Sequence, residues 1–193
     1  MNLGCMIMAA GSSSRFGANK LLQDFHGKPL CQWAMEAVPA ALFSDLIVVT
    51  GYEPVMELSR SMGFRVVGNH APELGISRTI RLGLETMLHC DGVLFMTADQ
   101  PLLTTHTIRR LVSSFQSCPH AIHAVSHNGQ RGNPCLFPQS LFAQLLKLEG
   151  DTGGAKVIKS HPELLQLLEV PEAELVDCDT AQTLNALASL VNA

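Results

Sequence analysis

The sequence lacks the features of proteins that bind nucleic acid, cross membranes or depend on disulfides. Its longest basic run is the pair Arg109-Arg110, in a chain of net charge −4, and clustered cations are what a phosphate backbone requires. No apolar stretch approaches the ~20 residues of a membrane span. The six cysteines contain no C-x-x-C pair, and the apolar start is too short for a signal peptide. We therefore expect free thiols, a cytoplasmic location, and neither a nucleic acid nor a membrane partner.

Common catalytic and nucleotide-binding patterns are also missing. A P-loop requires G-x-x-x-x-G-K-[S/T], but Gly11 and Gly17 are one residue too far apart and Lys20 comes late. The dinucleotide pattern G-x-G-x-x-G is absent, and the eight histidines are scattered along the chain. Neither a hydrolase triad nor a histidine metal site is therefore expected.

What the 193 residues do contain is an alternation of short apolar runs and segments of helical period. With 47% hydrophobic and 16% charged residues, they predict one folded domain over residues 1–193. Short apolar strands that alternate with helices indicate a three-layer α/β/α domain with a mostly parallel central sheet. The predicted strands are 3–8, 46–50, 64–68, 92–97, 121–126, 135–137, 166–170 and 175–177, with a glycine-rich loop at 127–133. The predicted helices are 30–38, 54–62, 76–89 and 180–191, the last with Thr180 as its N-cap.

The loop after the first strand has the composition of a triphosphate-binding loop. Small residues let backbone N–H groups approach a ligand closely, and carboxyl ends of strands are where open α/β sheets bind ligands. Arg15 offers a planar fork for phosphate oxygens, and Lys20 offers a compact charge. The predicted nucleotide-binding residues of this loop are Ala9, Ala10, Gly11, Ser12, Ser13, Ser14, Arg15 and Lys20.

Acidic residues follow two later apolar runs. Asp99 comes at the end of the strongest strand, where a carboxylate suits Mg²⁺ that bridges nucleotide phosphates, although an Asp in this position also forms turns. Asp177 and Asp179 alternate, so only one is expected to face the site. Asp179 could instead cap the last helix.

The N-terminal loop resembles A-A-G-x-x-x-R-[M/F]-G-x-x-K, the signature of the molybdopterin nucleotidyltransferase family. Further segments are similar to that family in the same order and cover residues 8 to about 184. They are D-[Q/M]-P at Asp99, G-x-x-G-[H/N]-P at 129–134, G-D-x-G-A-R at 150–156, and a glycine- and serine-containing element at 69–83. The segment after Asp179 departs from the family, because Ala181-Gln182 replaces Pro-Glu.

The resemblance implies a Rossmann-like nucleotidyltransferase that moves a nucleoside monophosphate from an NTP to a phosphorylated acceptor. It implies that Lys20 neutralises the α-phosphate, that Arg15 holds the terminal phosphates, and that Asp99 and Asp179 bind Mg²⁺. An Ala at position 10, where guanylyl-transferring relatives tend to have Gly, favours CTP as donor. Molybdopterin is the acceptor that the resemblance favours, because the sugar- and polyol-phosphate nucleotidyltransferases that share A-A-G are generally longer.

The resemblance also implies the remaining site residues. Gly75 and Ser77 would face the nucleotide, while Arg78 and Arg81 would lie on the solvated helix face. The acceptor-binding residues that it implies are Gly132, Asn133, Pro134 and Asp151. A hairpin at 129–134 with an exposed Arg131, and an ordinary helix cap at Asp151 or Thr152, are the structural alternatives.

Three functional alternatives remain open from the sequence. The chain could transfer GMP to the same acceptor, or act on a sugar phosphate with the same fold. It could also be a non-catalytic partner that delivers cofactor to a molybdenum hydroxylase, a reading that the altered segment after Asp179 leaves open.

Overall fold

The fold is built on two β-sheets. It is described from a computed structural model that covers residues 1–11 and 19–191. The strands are β1 (Leu3–Met8), β2 (Asp24–Phe25), β3 (Lys28–Pro29), β4 (Asp45–Thr50), β5 (Arg65–Gly68), β6 (Gly92–Thr97), β7 (Ile122–His127), β8 (Gln130–Pro138) and β9 (Leu165–Glu169). The helices are α1 (Leu30–Glu36), α2 (Glu53–Ser61), α3 (Ile76–Leu84), α4 (Thr105–Ser117), α5 (Phe142–Leu145), α6 (Ala155–Ser160) and α7 (Ala181–Val191). Short 3₁₀ turns lie at Lys20–Leu22, Ala40–Leu42, Pro72–Leu74, Gln139–Leu141, Pro162–Leu164 and Glu172–Leu175.

The main sheet has seven strands in the order β5-β4-β1-β6-β8-β7-β9, and β2 pairs with β3 separately. The pairs among β5, β4, β1 and β6 are parallel, β8 runs antiparallel to both neighbours, and β9 is parallel to β7. The mostly parallel α/β sheet that the sequence predicts is therefore confirmed. The carboxyl ends of β1, β4 and β6 meet at one edge, where ligands bind in such sheets.

Alternating residues of the central strands supply two hydrophobic cores, one on each face of the sheet. Ile7 and Met96 belong to the core that includes residues of α1, α2 and α4. Met6 and Phe95 belong to the other core, which includes residues of α3, α5 and α6. Within the described part of the chain, no helix is long and apolar enough to cross a membrane.

The segment predicted as a loop at 127–133 is largely a β-hairpin. Asn128 and Gly129 have φ of 50° and 75°, which two-residue hairpin turns require at both central positions, so β8 already begins at Gln130. The strand prediction at 135–137 therefore found only part of a nine-residue strand. The Asn128-Gly129 pair is the sequence feature that indicates this turn.

The strand predicted at 175–177 is not formed. Residues Glu172–Leu175 form a 3₁₀ turn instead. The chain that follows crosses the end of β6, where the Cys178 N–H donates to the Asp99 carbonyl at 2.9 Å. This crossing brings Asp177 and Asp179 next to β6.

Candidate functional site

The chain leaves β1 along a path that contacts from β4 and the residues after it fix in place. The Ala9 N–H donates to the Val49 carbonyl at 2.9 Å, and the Thr50 hydroxyl donates to the Ala9 carbonyl at 2.8 Å. The Tyr52 hydroxyl donates to the Gly11 carbonyl at 2.9 Å. These contacts anchor the start of the predicted phosphate loop to β4 and to the residues that follow it. The other predicted loop residues lie outside the described residues: Ser12, Ser13, Ser14 and Arg15.

Lys20 joins the two carboxylates that the sequence singles out. Its Nζ lies 2.6 Å from Asp99 Oδ2 and 2.6 Å from Asp179 Oδ1. The side chains of Lys20 and Asp99 are mostly buried, at 15% and 14% exposed, whereas that of Asp179 is 54% exposed. Burial lowers the pKa of Lys20, but the charges of Asp99 and Asp179 and their hydrogen bonds outweigh it and raise that pKa above its usual value. Lys20 therefore stays charged at neutral pH.

Asp179 lies just before α7, and the next residue, Thr180, caps that helix. The Thr180 hydroxyl accepts the N–H of Thr183 at 3.1 Å, as an N-cap does, so Asp179 is not needed to cap the helix. Asp177 has no contact with Lys20 as close as that of Asp179. Burial, and then the charges of Asp99 and Asp179, raise the pKa of Asp177 to about 6, although the residue still reaches solvent. Asp179 is therefore the second carboxylate of the cluster.

Four buried polar atoms without a hydrogen-bond partner lie beside this cluster. They are Asn19 Nδ2, Thr97 Oγ1, Asp99 Oδ1 and Gln100 Oε1, and no others were found among residues 1–11 and 19–191. Buried polar atoms are nearly always satisfied, so a group of unsatisfied ones indicates a place for water, an ion or a ligand. Three of them are oxygens, which are acceptors for a cation or a donor group.

A cleft of about 320 Å³ opens directly over the cluster. The predicted residues that line it are Ala9, Ala10, Gly11, Lys20, Gly75, Asp99 and Asp151. Ser77 does not line it, because that residue is buried in the first turn of α3. Thr79, which the sequence analysis did not select, lines the cleft from the same helix. Only helical spacing from Gly75 could have indicated it.

Two predicted motifs meet in one wall of this cleft. Gly75 has φ of 91°, and a Cβ on it would lie 2.2 Å from the Gly150 carbonyl oxygen, so only glycine fits. The Ser77 N–H donates to that same carbonyl at 3.2 Å. Asp151 Oδ1 accepts the Ile76 N–H at 3.5 Å and caps no part of α6. Asp151, which the resemblance assigns to the acceptor, thus lies beside Gly75, which it assigns to the nucleotide.

The other residues that the resemblance assigns to the acceptor lie on β8. Asn133 lines both a pocket beside the cleft and a polar groove, Gly132 lines the groove, and Pro134 follows in the strand. Arg78 is half-buried rather than fully solvated, because its Nε donates to Asn69 Oδ1 at 3.1 Å. Arg81 is exposed as predicted.

The same combination of fold and loop occurs in known proteins. The model of the MobA-like NTP transferase domain matches residues 5–166. The chain belongs to this family. The residues that match this MobA-like model include the N-terminal loop, Asp99 and the segment at 69–83.

Individual relatives of this MobA-like chain differ in the reaction that their names describe. It is 32% identical over 120 residues to a 3-deoxy-manno-octulosonate cytidylyltransferase of Bdellovibrio bacteriovorus, a match that covers 62% of this chain and 48% of that protein. It is 27% identical over 113 residues to a probable molybdenum cofactor guanylyltransferase of Thermococcus gammatolerans, covering 57% and 55%. The chain thus spans about half the length of these relatives.

The crystal structure of Rv0371c from Mycobacterium tuberculosis has the same fold. Its TM-score is 0.82 at 23% identity, over 98% of this chain and 99% of that one. The α/β nucleotidyltransferase fold is therefore shared across the described chain.

Proposed function

We propose that this chain transfers CMP from CTP to the terminal phosphate of molybdopterin and releases pyrophosphate. In this reaction an oxygen of the acceptor phosphate forms a bond to the α-phosphorus. The bond from the α-phosphorus to the bridging oxygen breaks, and the electron pair leaves with pyrophosphate. The acceptor phosphate is already an anion near neutral pH, so no general base is required. What catalysis requires is positioning and neutralisation of charge.

The contact of Lys20 with Asp99 and Asp179 beneath the cleft is the observation that carries this proposal. A lysine whose raised pKa keeps it charged can neutralise the charge that grows on the α-phosphate during transfer. Lys20 lines the cleft. Because the Asp179 side chain that contacts it is partly exposed, Lys20 keeps access to the cleft. Backbone N–H groups that follow the anchored Gly11, together with Arg15, would hold the terminal phosphates.

The residues present fit Mg²⁺. Asp99 and Asp179 each place an oxygen 2.6 Å from one nitrogen, so the two oxygens lie within twice 2.6 Å, or 5.2 Å, of each other. Asp99 Oδ1 and Thr97 Oγ1 add unsatisfied oxygens. No group of three or more His, Cys, Asp or Glu in the described ranges could hold a metal by itself, so nucleotide phosphates and water would have to supply the remaining ligands of the cation. When bound by Asp99 and Asp179, Mg²⁺ would supply further charge neutralisation.

The choice of base rests on Ala10. This residue is 4% exposed and lines the cleft, so its methyl group takes up space that a glycine would leave open. The smaller pyrimidine of CTP is therefore the base we propose. The name of the Thermococcus relative favours GTP as the second candidate and supports molybdenum cofactor as the acceptor.

Replacement of Asp99 by alanine tests the proposal. We expect Asp99→Ala to reduce Mg²⁺-dependent pyrophosphate release by at least ~100-fold, because charge stabilisation at the reacting phosphate is lost. Asp24→Ala is the matched control, since Asp24 is exposed at the start of β2 and its carboxylate accepts the Gly27 N–H at 3.3 Å, away from the cleft. Near-normal turnover in folded Asp99→Ala protein would contradict the assignment.

A further inference from the structure

The segment that carries Asp179 has no regular secondary structure. Residues 176–179, here called the acidic segment, lie between the last 3₁₀ turn and α7. The Cys178 N–H donates to the Asp99 carbonyl, but the Asp179 N–H donates to the carbonyl of Asp177 at 3.1 Å, within the segment itself. Because neither a helix nor a sheet holds this backbone, contacts at the two ends of the acidic segment must set where the Asp179 carboxylate lies.

A buried carboxylate stands just before the acidic segment. Glu174 is 8% exposed, and its Oε2 accepts the Thr104 N–H at 3.0 Å and the Thr104 hydroxyl at 3.1 Å. Thr104 is the N-cap of the 13-residue helix α4, so this carboxylate lies at the positive end of the helix. In the described part of the chain, no lysine, arginine or histidine forms an ion pair with Glu174. The helix end and the two hydrogen bonds therefore compensate for its burial.

These bonds connect two segments that meet at the cation site. Glu174 joins the start of the acidic segment to the loop at 98–104, which leaves β6 and contains Asp99. A second bond joins the same two segments, because Nε2 of the buried Gln100 donates to the Leu175 carbonyl at 3.3 Å. The two carboxylates proposed to bind Mg²⁺ thus lie on segments that side-chain bonds fasten to each other.

Glu174 itself is not placed to bind substrate or metal. It is not among the described residues that line the cleft. Both of its bonds end on one oxygen, and the amide oxygen of a glutamine can accept the same two donors. An alanine would instead leave the Thr104 N–H without this acceptor. The contacts therefore indicate a role in holding the segment rather than in supplying charge to the cleft.

We propose that Glu174 is a positioning residue for the cation site, which holds the acidic segment against the loop after β6 and so keeps the Asp179 carboxylate near Asp99. The inference rests on the proposed function for the role of these two acids. It adds a residue outside the cleft on which that role depends. Residues that orient metal ligands from behind typically contribute about 10- to 100-fold to metal affinity.

Calorimetric titration with CTP, with and without saturating Mn²⁺ and without acceptor, measures how many fold the metal tightens nucleotide binding. We expect Glu174→Ala to reduce this factor by about 10-fold and to leave CTP affinity without metal unchanged. Glu174→Gln should keep the wild-type factor, because its amide oxygen accepts the same donors. The matched control is Glu172→Ala, which removes an exposed carboxylate from the same 3₁₀ turn and should also keep the factor.

An Asp179→Asn background shows whether Glu174 acts through Asp179. We expect Asp179→Asn to reduce the factor, and Glu174→Ala to reduce it no further in that background, since two changes that act through one group are not additive. If Glu174→Ala does not fold, Gln100→Leu keeps the test decisive. That variant removes the bond to the Leu175 carbonyl and should lower the factor in the same way.

The outcomes separate this inference from the proposed function. A wild-type factor in folded Glu174→Ala, beside a reduced factor in Asp179→Asn, would overturn the role of Glu174 alone. Equal losses in Glu174→Gln and Glu174→Ala would also overturn it, as would a full further loss in the Asp179→Asn background. No tightening by Mn²⁺ in wild type would refute the proposed cation site, and this inference with it.

Discussion

Replacing Lys20 by methionine removes the ammonium that lies between Asp99 and Asp179. The two carboxylate oxygens, each 2.6 Å from Nζ, are then left within 5.2 Å of each other, twice that distance. At an effective dielectric constant of ~20, two unit charges at that separation repel by about 3 kcal/mol. Because Asp179 is 54% exposed, solvent screening reduces this to roughly 1–2 kcal/mol.

A divalent cation would relieve this repulsion, so the variant should bind such a cation more tightly than the wild type does. We expect nucleotide-free Lys20→Met to bind Mn²⁺ about tenfold more tightly than wild type, since a positive charge no longer occupies the space between the carboxylates. We also expect it to be roughly 1–2 kcal/mol less stable in urea without metal, and to regain that stability with Mn²⁺. Its turnover should be lost.

Manganese binding is measured by electron paramagnetic resonance on nucleotide-free protein, and stability by urea denaturation with and without Mn²⁺. The control is Lys28→Met, because Lys28 pairs at the surface with Glu36, at 2.7 Å, and lies 5.0 Å over the Trp33 ring, so its loss should change stability by no more than ~1 kcal/mol. Unchanged Mn²⁺ affinity in folded Lys20→Met would refute the view that Asp99 and Asp179 form a cation site shared with Lys20.

Three further predictions concern the walls of the site and the adjoining fold. Gly75→Ala should weaken CTP binding and destabilise the protein by more than the ~1–2 kcal/mol of positive-φ strain alone, because its Cβ meets the Gly150 carbonyl. Gly129→Ala isolates the strain, since it has φ of 75° and nothing within 4 Å of its Cβ. Asp177→Asn should add about 1 kcal/mol of stability at pH 7.5 in urea denaturation, a value reduced for solvent screening because Asp177 is exposed. The raised Asp177 pKa means that wild type loses stability as pH rises from about 3.8 through about 6, a loss that asparagine removes. Thr104→Ala should cost about 1 kcal/mol in the same assay, because the Thr104 hydroxyl accepts the Thr107 N–H at 3.2 Å as the N-cap of α4.

Local patterns in the sequence were enough to predict the parallel part of the sheet. The continuous apolar runs of β1 and β6 are typical of strands buried on both faces, and Asp99 follows directly from its place at the end of β6. The resemblance implied that Asp99 and Asp179 share a metal, but the contact of both acids with Lys20 was not predicted, and 79 and 159 residues separate the partners.

What the sequence did not reveal depends on contacts between distant segments. Tyr52 anchors Gly11 across 41 residues, and Gly75 packs on Gly150 through backbone atoms that carry no residue-specific signal. The strand expected at 175–177 has the right composition, but the segment crosses the end of β6 instead, where the Cys178 N–H donates to the Asp99 carbonyl. A contact between such distant segments is a property of the assembled fold, so composition alone could not exclude that strand.

Pyrophosphate release in the presence of molybdenum cofactor and Mg²⁺, with CTP, GTP, ATP and UTP in parallel, tests the central claim most directly. The account predicts release with CTP and little with the other three nucleotides. Preference for GTP would contradict the role given to Ala10. No release with any of the four, from folded protein that still binds CTP, would contradict nucleotidyl transfer to this acceptor.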